Sequence, residues 1–269
     1  MKQLLATLAS TALFVMCFVP AVHAIDADAI GMVQGNLIQG QVFAKSRAGG
    51  QRQLTSGASI YEGDTIETVG EGSVVLMLKD GTFWDVFDES MLTIEEYNFS
   101  DNGSGDSAIY QVHSGNLVYT SGEMGARGSS IEIKSGNTSI YPQGTTIEFI
   151  TFLGVTIGKV LEGTARVVST ISGAPTADKV ASEGAWFVKD ATGDITVVKN
   201  KGQAQKVARR AYQAAGVAQK GAGVLAAITS ILVKKGYGLE VDKDTVGADL
   251  LVQTPAEGGS ETLIVASPN

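Results

Sequence analysis

Short apolar runs separated by Gly, Asp, Asn and Ser make up most of the chain from residue 31 to about residue 198. In the segment SIEIKSG, residues 130–136, Ile131 and Ile133 face one side and Glu132 and Lys134 face the other, which is the period of a strand. Many such runs, each bounded by turn residues, predict short strands joined by tight turns. We therefore expect a mainly β fold, either a two-sheet β-sandwich or a β-solenoid-like domain.

The pattern changes at Lys199, where apolar and small residues recur at helical spacing. We predict two helices, at about 202–219 and 223–235. The basic residues in or directly after these helices form a candidate interaction surface: Lys206, Arg209, Arg210, Lys220, Lys234 and Lys235. We expect the second helix to pack on the sheet; a partner-binding helix and an interfacial membrane helix are the alternatives.

The first 24 residues have the pattern of a secretory signal peptide. A positive start precedes an apolar run over 4–19, and Ala-Val-His-Ala at 21–24 fits the small-x-small cleavage pattern. We expect cleavage after Ala24 and a periplasmic or secreted protein. The only cysteine, Cys17, would leave with the signal, so the mature chain would have no disulfide.

Beyond the signal peptide the chain divides into three parts. We predict an all-β part over 25–198, a basic helical segment over 199–238, and a C-terminal β-hairpin or tail over 239–269. The strand-like runs 248–254 and 261–267 would form the hairpin.

Charge is distributed unevenly along the chain. The net charge is −8, but residues 195–239 contain eight basic and no acidic residues. An exported acidic protein is a poor candidate for nucleic-acid binding, so we predict none. The basic segment would contact either an anionic membrane, as a peripheral attachment, or the acidic remainder of the protein itself.

Two acidic–glycine pairs lie inside the strand-like sequence. Asp80-Gly81 lies between two apolar runs, a strong hairpin signal, because glycine supplies a positive φ and aspartate bonds its own backbone. Gly63-Asp64 lies between two isoleucines in a similar setting. We interpret both pairs as structural turns. The competing interpretation is a carboxylate pair for acid–base catalysis, which requires two acids held several Å apart in environments that separate their pKa values.

Other candidate chemistry is sparse. His113 is the only histidine after the signal, and with no cysteine left the usual zinc sets are missing. Neither a G-x-S-x-G elbow nor a phosphate-binding G-x-x-x-x-G-K-[ST] loop occurs. The loop DNGSGD, 101–106, is the best calcium candidate, although a solvated loop is the simpler interpretation. An aromatic group could line a ligand groove or belong to the core: Phe83, Trp84, Phe87 and Tyr97. We predict no catalytic residues, no metal and no cofactor.

Several segments together resemble the FecR-type extracytoplasmic domain. They are GMVQGNLIQGQVFA, LTSGASIYEGDTIETVGEGSVVLMLKDGTFWDVFDESMLTIEEYNF, SGNLVYTSGEMG and IYPQGTTIEF, and they span roughly 31–150. The residues that match the family pattern and look like fold-makers are Gly57, Gly63, Asp64, Thr68, Asp80, Gly81, Thr82, Gly144 and Thr145. The combination of G-D-T-I-x-T and D-G-T in this order is more specific than either part alone.

The resemblance implies a periplasmic all-β module without known catalysis. The best-known members relay signals from an outer-membrane siderophore transporter to a cytoplasmic sigma factor, and carry an anti-sigma segment and a transmembrane helix ahead of the domain. Here we expect a cleavable signal in that place. The sequence therefore favours a non-enzymatic binding or scaffold module for an envelope protein or glycan. The alternatives are a signalling sensor that contacts an outer-membrane transporter, and a carbohydrate-active enzyme that uses Asp64 or Asp80.

Overall fold

A computed structural model describes residues 28–100, 102–171, 174–218, 239–241 and 250–252. The predicted signal peptide, the predicted second helix and the predicted strand at 261–267 lie outside the described residues, as do Lys220, Lys234 and Lys235.

Strands dominate the described chain, and two helices interrupt them. The elements are β1 Gly31–Lys45, β2 Gln51–Gln53, β3 Ser59–Ile60, β4 Thr65–Leu78, β5 Phe83–Val86, β6 Met91–Asn98, β7 Ser107–Thr120, α1 Glu123–Arg127, β8 Ser130–Ser135, β9 Thr138–Phe152, β10 Val155–Ile171, β11 Ala174–Ser182, β12 Trp186–Lys189, β13 Ile195–Val198, α2 Lys201–Ala218, β14 Leu239–Val241 and β15 Leu250–Val252.

Within the described residues, thirteen strands form one hydrogen-bonded sheet. Its order is β13-β12-β10-β9-β8-β7-β5-β4-β1-β2, with β11 paired to β10, β3 to β1, and β6 to both β4 and β7. Neighbours are antiparallel except β7 and β8, which are parallel and are joined through α1. The protein is therefore mainly β, as the alternation predicts.

Four long strands change partners near their middle. β4 pairs with β6 through 65–67 and with β5 through 74–77. β7 pairs with β6 through 107–114 and with β5 through 117–120, and β9 and β10 divide in the same way. The strands thus fall into two rows. The first row contains β5, β12, β13 and the halves of long strands beside them; the second contains β2, β6, β8, β11 and the other halves.

Side chains from both rows share one hydrophobic core. Leu76 in β4 and Trp84 in β5 come from the first row, and Leu92 in β6 and Ile133 in β8 come from the second. Along β8, Ile131 and Ile133 are buried while Glu132 and Lys134 are half-exposed, which is the alternation expected for this segment. Burial of apolar surface between the rows is the main source of stability available to a chain of this composition.

Gly115 marks the point at which β7 bends from one row to the other. Its φ is +110°, and a Cβ at this position would lie 2.0 Å from the Oγ of Ser90. The Ser90 hydroxyl fills that space. It accepts a hydrogen bond from the backbone amide of Asn116 at 3.0 Å and donates one to the backbone carbonyl of Asn116 at 3.2 Å. Only glycine permits both this backbone conformation and the approach of Ser90.

Helix α2 packs on the outer face of the first row. Ala208, Ala211 and Tyr212 form a second apolar cluster with Ile150 and Val188 of the sheet. The small alanines let the helix approach the strands closely. The predicted helix at 202–219 is therefore present at Lys201–Ala218 and lies against the sheet. Within the described residues, no helix combines the length and apolar character that a membrane span needs.

The described part of the C-terminal segment consists of β14 and β15. Leu250–Val252 pairs with Leu239–Val241 in antiparallel register. The strand-like run 248–254 thus has a described partner upstream of it, whereas the sequence suggested a partner downstream.

Replacing Gly115 by alanine should destabilise the protein more than the same change at Gly144. Both residues have positive φ, which costs a non-glycine residue about 1–2 kcal/mol. A Cβ at Gly144 meets nothing within 4 Å, whereas at Gly115 it overlaps Ser90. Urea denaturation should show a loss of about 1 kcal/mol for Gly144→Ala and of about 3 kcal/mol or more for Gly115→Ala. Equal losses would contradict the packing argument.

Candidate functional site: the acidic turns

Asp64 closes the turn between β3 and β4 and is 1% exposed. Its carboxylate accepts two hydrogen bonds from the guanidinium of Arg52, of which Nη1 to Oδ1 is 2.9 Å, and one from the Tyr61 amide at 2.9 Å. The second guanidinium nitrogen also donates to the Ser59 carbonyl at 3.0 Å. Asp64 therefore ties the short strand β2 to the turn.

Arg52 is held on its other side as well. Its guanidinium carbon lies 5.1 Å from the centre of the Tyr61 ring, a cation–π distance. The hydrogen bond to Asp64 raises the Arg52 pKa, and burial opposes this effect. A bidentate pair of this kind fixes the orientation of both side chains and pairs their charges, so both groups have a structural role.

The backbone of the same turn is fastened to β6. The Gly63 amide donates to the Ile94 carbonyl at 2.7 Å, and the Ile94 amide donates to the Asp64 carbonyl at 3.0 Å. Gly63 has a φ of +82°, as the turn interpretation expects of a glycine.

Asp80 forms the turn between β4 and β5 and is 2% exposed. Its Oδ1 accepts from the Thr82 amide at 3.1 Å and from the Tyr97 hydroxyl at 2.9 Å, and its Oδ2 accepts from the Thr82 hydroxyl at 2.7 Å. Gly81 supplies a φ of +79°. The Asp80 amide donates to the Tyr97 oxygen at 2.9 Å, so Tyr97 is bonded to both the backbone and the side chain of Asp80.

The Asp80 turn also supports the start of α1. The Glu123 amide donates to the Asp80 carbonyl at 2.7 Å, and the Gly122 amide donates to the Thr82 hydroxyl at 3.1 Å. A Cβ on Gly122 would lie 2.3 Å from the Asp80 carbonyl oxygen. Three segments distant in sequence therefore meet at one buried turn.

An aromatic cluster packs near Asp80 inside the core. The ring of Trp84 lies 5.1 Å from that of Tyr110 and 5.0 Å from that of Tyr119. Burial raises the pKa of Tyr119 to about 12. The pKa of Tyr97 is raised above that of Tyr119, mainly by burial and next by the charge of Asp80. Of the aromatic residues proposed for a groove, Trp84 is fully buried and Phe83 is half-exposed on the opposite face of β5. Trp84 and Tyr97 thus belong to the core, whereas Phe83 and Phe87 are half-exposed.

The remaining motif residues occupy different settings. Gly57 lies in a turn with a φ of +72°, and Gly144 lies at the bend of β9 with a φ of +54°. Thr68 lies inside β4 rather than in a turn, and its hydroxyl donates to the Phe87 carbonyl at 2.5 Å. Thr145 lies inside β9 and donates to the Thr164 carbonyl of β10 at 2.6 Å. Both threonines use their hydroxyls to join neighbouring segments.

The two carboxylates do not converge. Asp64 and Asp80 lie in separate turns with separate partners. Neither lines the cleft of about 310 Å³ around Glu67, Glu89 and Ser90. Neither lines the cleft of about 410 Å³ between α2 and the β12–β13 hairpin.

The calcium interpretation of 101–106 does not fit the described residues of that loop. Asp106 Oδ1 accepts two hydrogen bonds from Ser100, at 2.7 and 2.9 Å, and Oδ2 faces the Arg127 guanidinium at 3.6 Å. A guanidinium beside the carboxylate opposes a second cation. Elsewhere in the described chain, no group of three potential metal ligands occurs.

His113 lies on the exposed face of β7, and its Nε2 is 2.9 Å from the Thr93 hydroxyl. This places it within a strand, two residues before the bend at Gly115.

The basic residues of the described helix point mainly to solvent. Lys206 and Arg210 are exposed and Arg209 is half-buried, while the apolar face of α2 contacts the sheet. Sequence reasoning did not identify Arg52 as a partner of Asp64, or Tyr97 as a partner of Asp80. Nothing in the local sequence marks them, because both contacts join distant segments.

Comparison with known proteins yields weak matches. No protein-family model matches the chain. No curated protein matches it either. Two crystal structures of Parabacteroides distasonis proteins, provisionally described as anti-sigma factors, are similar. The first has 15% identity and a TM-score of 0.41 over 53% of this chain and 62% of that one. The second has 12% identity and a TM-score of 0.47 over 70% and 82%.

A third match is a structure described as a cell surface anchoring domain. Its identity is 37% with a TM-score of 0.25, over 28% of this chain and 97% of that one. The chain thus spans 62% of the length of the first of the three structures. Similarity at these TM-scores assigns the chain to no family.

Replacing either buried aspartate by asparagine should lower stability. Asparagine at Asp80 would present an amide to the Thr82 or Tyr97 donors, and at Asp64 it would leave Arg52 without its charge partner. Each change should cost about 1–3 kcal/mol in urea denaturation. Asp178→Asn, at an exposed pair with Arg166, is the matched control and should change stability little. An unchanged unfolding midpoint for Asp80→Asn would refute the structural role.

Stability should fall as the pH rises from about 10 to about 12. Unfolded tyrosine ionises near pH 10, whereas folded Tyr119 has a pKa of about 12 and folded Tyr97 a higher one. In this window the unfolded state loses protons that the folded state keeps, so ionisation favours unfolding. Denaturant titrations across this pH range measure how steeply the free energy of unfolding falls with pH. Tyr97→Phe should make this fall less steep, and an unchanged fall in that variant would count against the role of Tyr97.

Proposed function

We propose that this chain is a non-enzymatic exported envelope protein, a binding or scaffold module of the FecR type. The observation that carries the proposal is the burial and hydrogen bonding of Asp64 and Asp80. Both carboxylates, the strongest candidates for chemistry, are buried and engaged by fixed structural donors. A general acid or base must reach a substrate proton within hydrogen-bond distance, and these groups face the protein interior.

We further propose that the two rows of strands are the two layers of a β-sandwich. The sharing of one core by both rows supports this arrangement, as does the change of partners along the long strands. Strands that pass from one layer to the other at a bend are known in orthogonally packed sheets. Such a body would present two rigid outer faces, of which α2 covers part of one.

The export of the chain is part of the proposal and rests on its first 24 residues. A mainly β body whose two candidate catalytic carboxylates are buried suits recognition in the envelope. The apolar face of α2 already contacts the sheet, so contact with a membrane through this helix would depend on its exposed cations Lys201, Lys206 and Arg210. The carbohydrate-active alternative is disfavoured, because Asp64 and Asp80 do not share a cleft.

The test combines location, binding and turnover. Fractionation of the producing cells and N-terminal sequencing should give a protein that begins at Ile25 and lies outside the cytoplasm. The purified mature protein should bind a component of the envelope fraction saturably and release no product from a panel of envelope polysaccharides. Asp64→Asn and Asp80→Asn should bind equally well at temperatures where they remain folded.

Two outcomes would contradict the proposal. One is a protein that is found in the cytoplasm with its first 24 residues still attached. The other is turnover of any polysaccharide by the wild type that a folded Asp64→Asn or Asp80→Asn variant has lost. Asp178→Asn again serves as the control, because it removes a surface carboxylate without touching either turn.

A further inference from the structure

Strand β11 has a long free edge. In the described part of the chain, its nine residues pair with β10 and with no other strand. β2 and β13, which also have one neighbour each, contain three and four residues. A free edge of this length presents a row of backbone donors and acceptors that another strand could use.

The core-facing positions of β11 contain one unexpected residue. Residues opposite each other in an antiparallel pair share a face of the sheet. Lys179 lies opposite Val167, which is fully buried in the core, and Ala181 lies opposite Ala165, also fully buried. Lys179 therefore occupies the core side of β11, next to a position taken by a buried alanine. The residue is nevertheless exposed, and no described strand pairs with the edge beside it.

The residues on the other face of β11 would not oppose the addition of another strand in the same way. Arg166 and Asp178 form an exposed ion pair at 2.7 Å across β10 and β11. Val180 is 64% exposed, the highest value among the exposed large hydrophobic residues of the described chain. An apolar, β-branched residue at a free edge would favour strand addition.

We propose that Lys179 keeps the β11 edge closed to strand addition, above all by a second copy of this chain. A strand added to β11 would cover the open side of the edge and enclose the Lys179 ammonium between itself and the core around Val167. Removing an unpaired ammonium from water is unfavourable, so pairing at this edge is opposed. An inward-pointing lysine on an edge strand is a known means of preventing edge-to-edge association.

The test compares self-association of the mature protein and three variants by sedimentation velocity over a range of concentrations. Lys179→Val should lower the concentration at which association begins by about tenfold or more, because valine would be buried favourably by the added strand. Lys179→Glu should behave as the wild type, since it keeps a charge at the edge. Lys45→Val is the matched control: Lys45 is also exposed in a strand, but pairs with both β2 and β4, so its substitution should have no effect.

Hydrogen exchange locates the contact. In associated Lys179→Val, amides of β11 should gain protection, whereas those of β2 should not. If Lys179→Val does not fold, Lys179→Thr replaces it. The proposal is overturned if the folded valine or threonine variant associates as the wild type does, if Lys45→Val associates equally strongly, or if the added protection lies away from β11.

Discussion

The structure depends on two buried carboxylates, each oxygen of which accepts at least one hydrogen bond. Asp80 satisfies this constraint through Thr82 and Tyr97, and Asp64 through Arg52 and Tyr61. A buried charge without such partners would be strongly unfavourable. Because Arg52 and Tyr97 come from other segments, the bonds that satisfy the two charges also hold β2 and β6 to the turns at the ends of β4. The contacts that stabilise the two turns therefore also join separate strands of the sheet.

The sequence predicts the local half of this arrangement. Asp-Gly after an apolar run indicates a turn at Asp80, and alternation places Ile131 and Ile133 in the core, because both signals act over a few residues. The long-range half has no local signature. Neither the Arg52–Asp64 pair nor the bond from Tyr97 to Asp80 can be read from spacing, and the bend of β7 at Gly115 looks in sequence like one turn glycine among many. Tertiary contacts decide these features.

Because Asp64 and Asp80 are engaged inside the mainly β body, the recognition proposed above would use the exposed surface. α2 covers part of one face with alanines and presents Lys206 and Arg210 outward, whereas the body carries most of the acidic residues. At the β11 edge, Lys179 interrupts a core-facing row that is otherwise apolar. For the binding module proposed above, such a barrier would keep the sheet from being extended by its own copies. Recognition would then use faces and not edges.

The most direct test of the account is a double-mutant cycle between Asp80 and Tyr97. Unfolding free energies of the wild type, Asp80→Asn, Tyr97→Phe and the double variant give the coupling between the two side chains. If the bond between them holds the β4–β5 turn to β6, the coupling should be about 1 kcal/mol or more. Strictly additive losses would show that the buried carboxylate does not stabilise the fold through this contact, and would contradict the account.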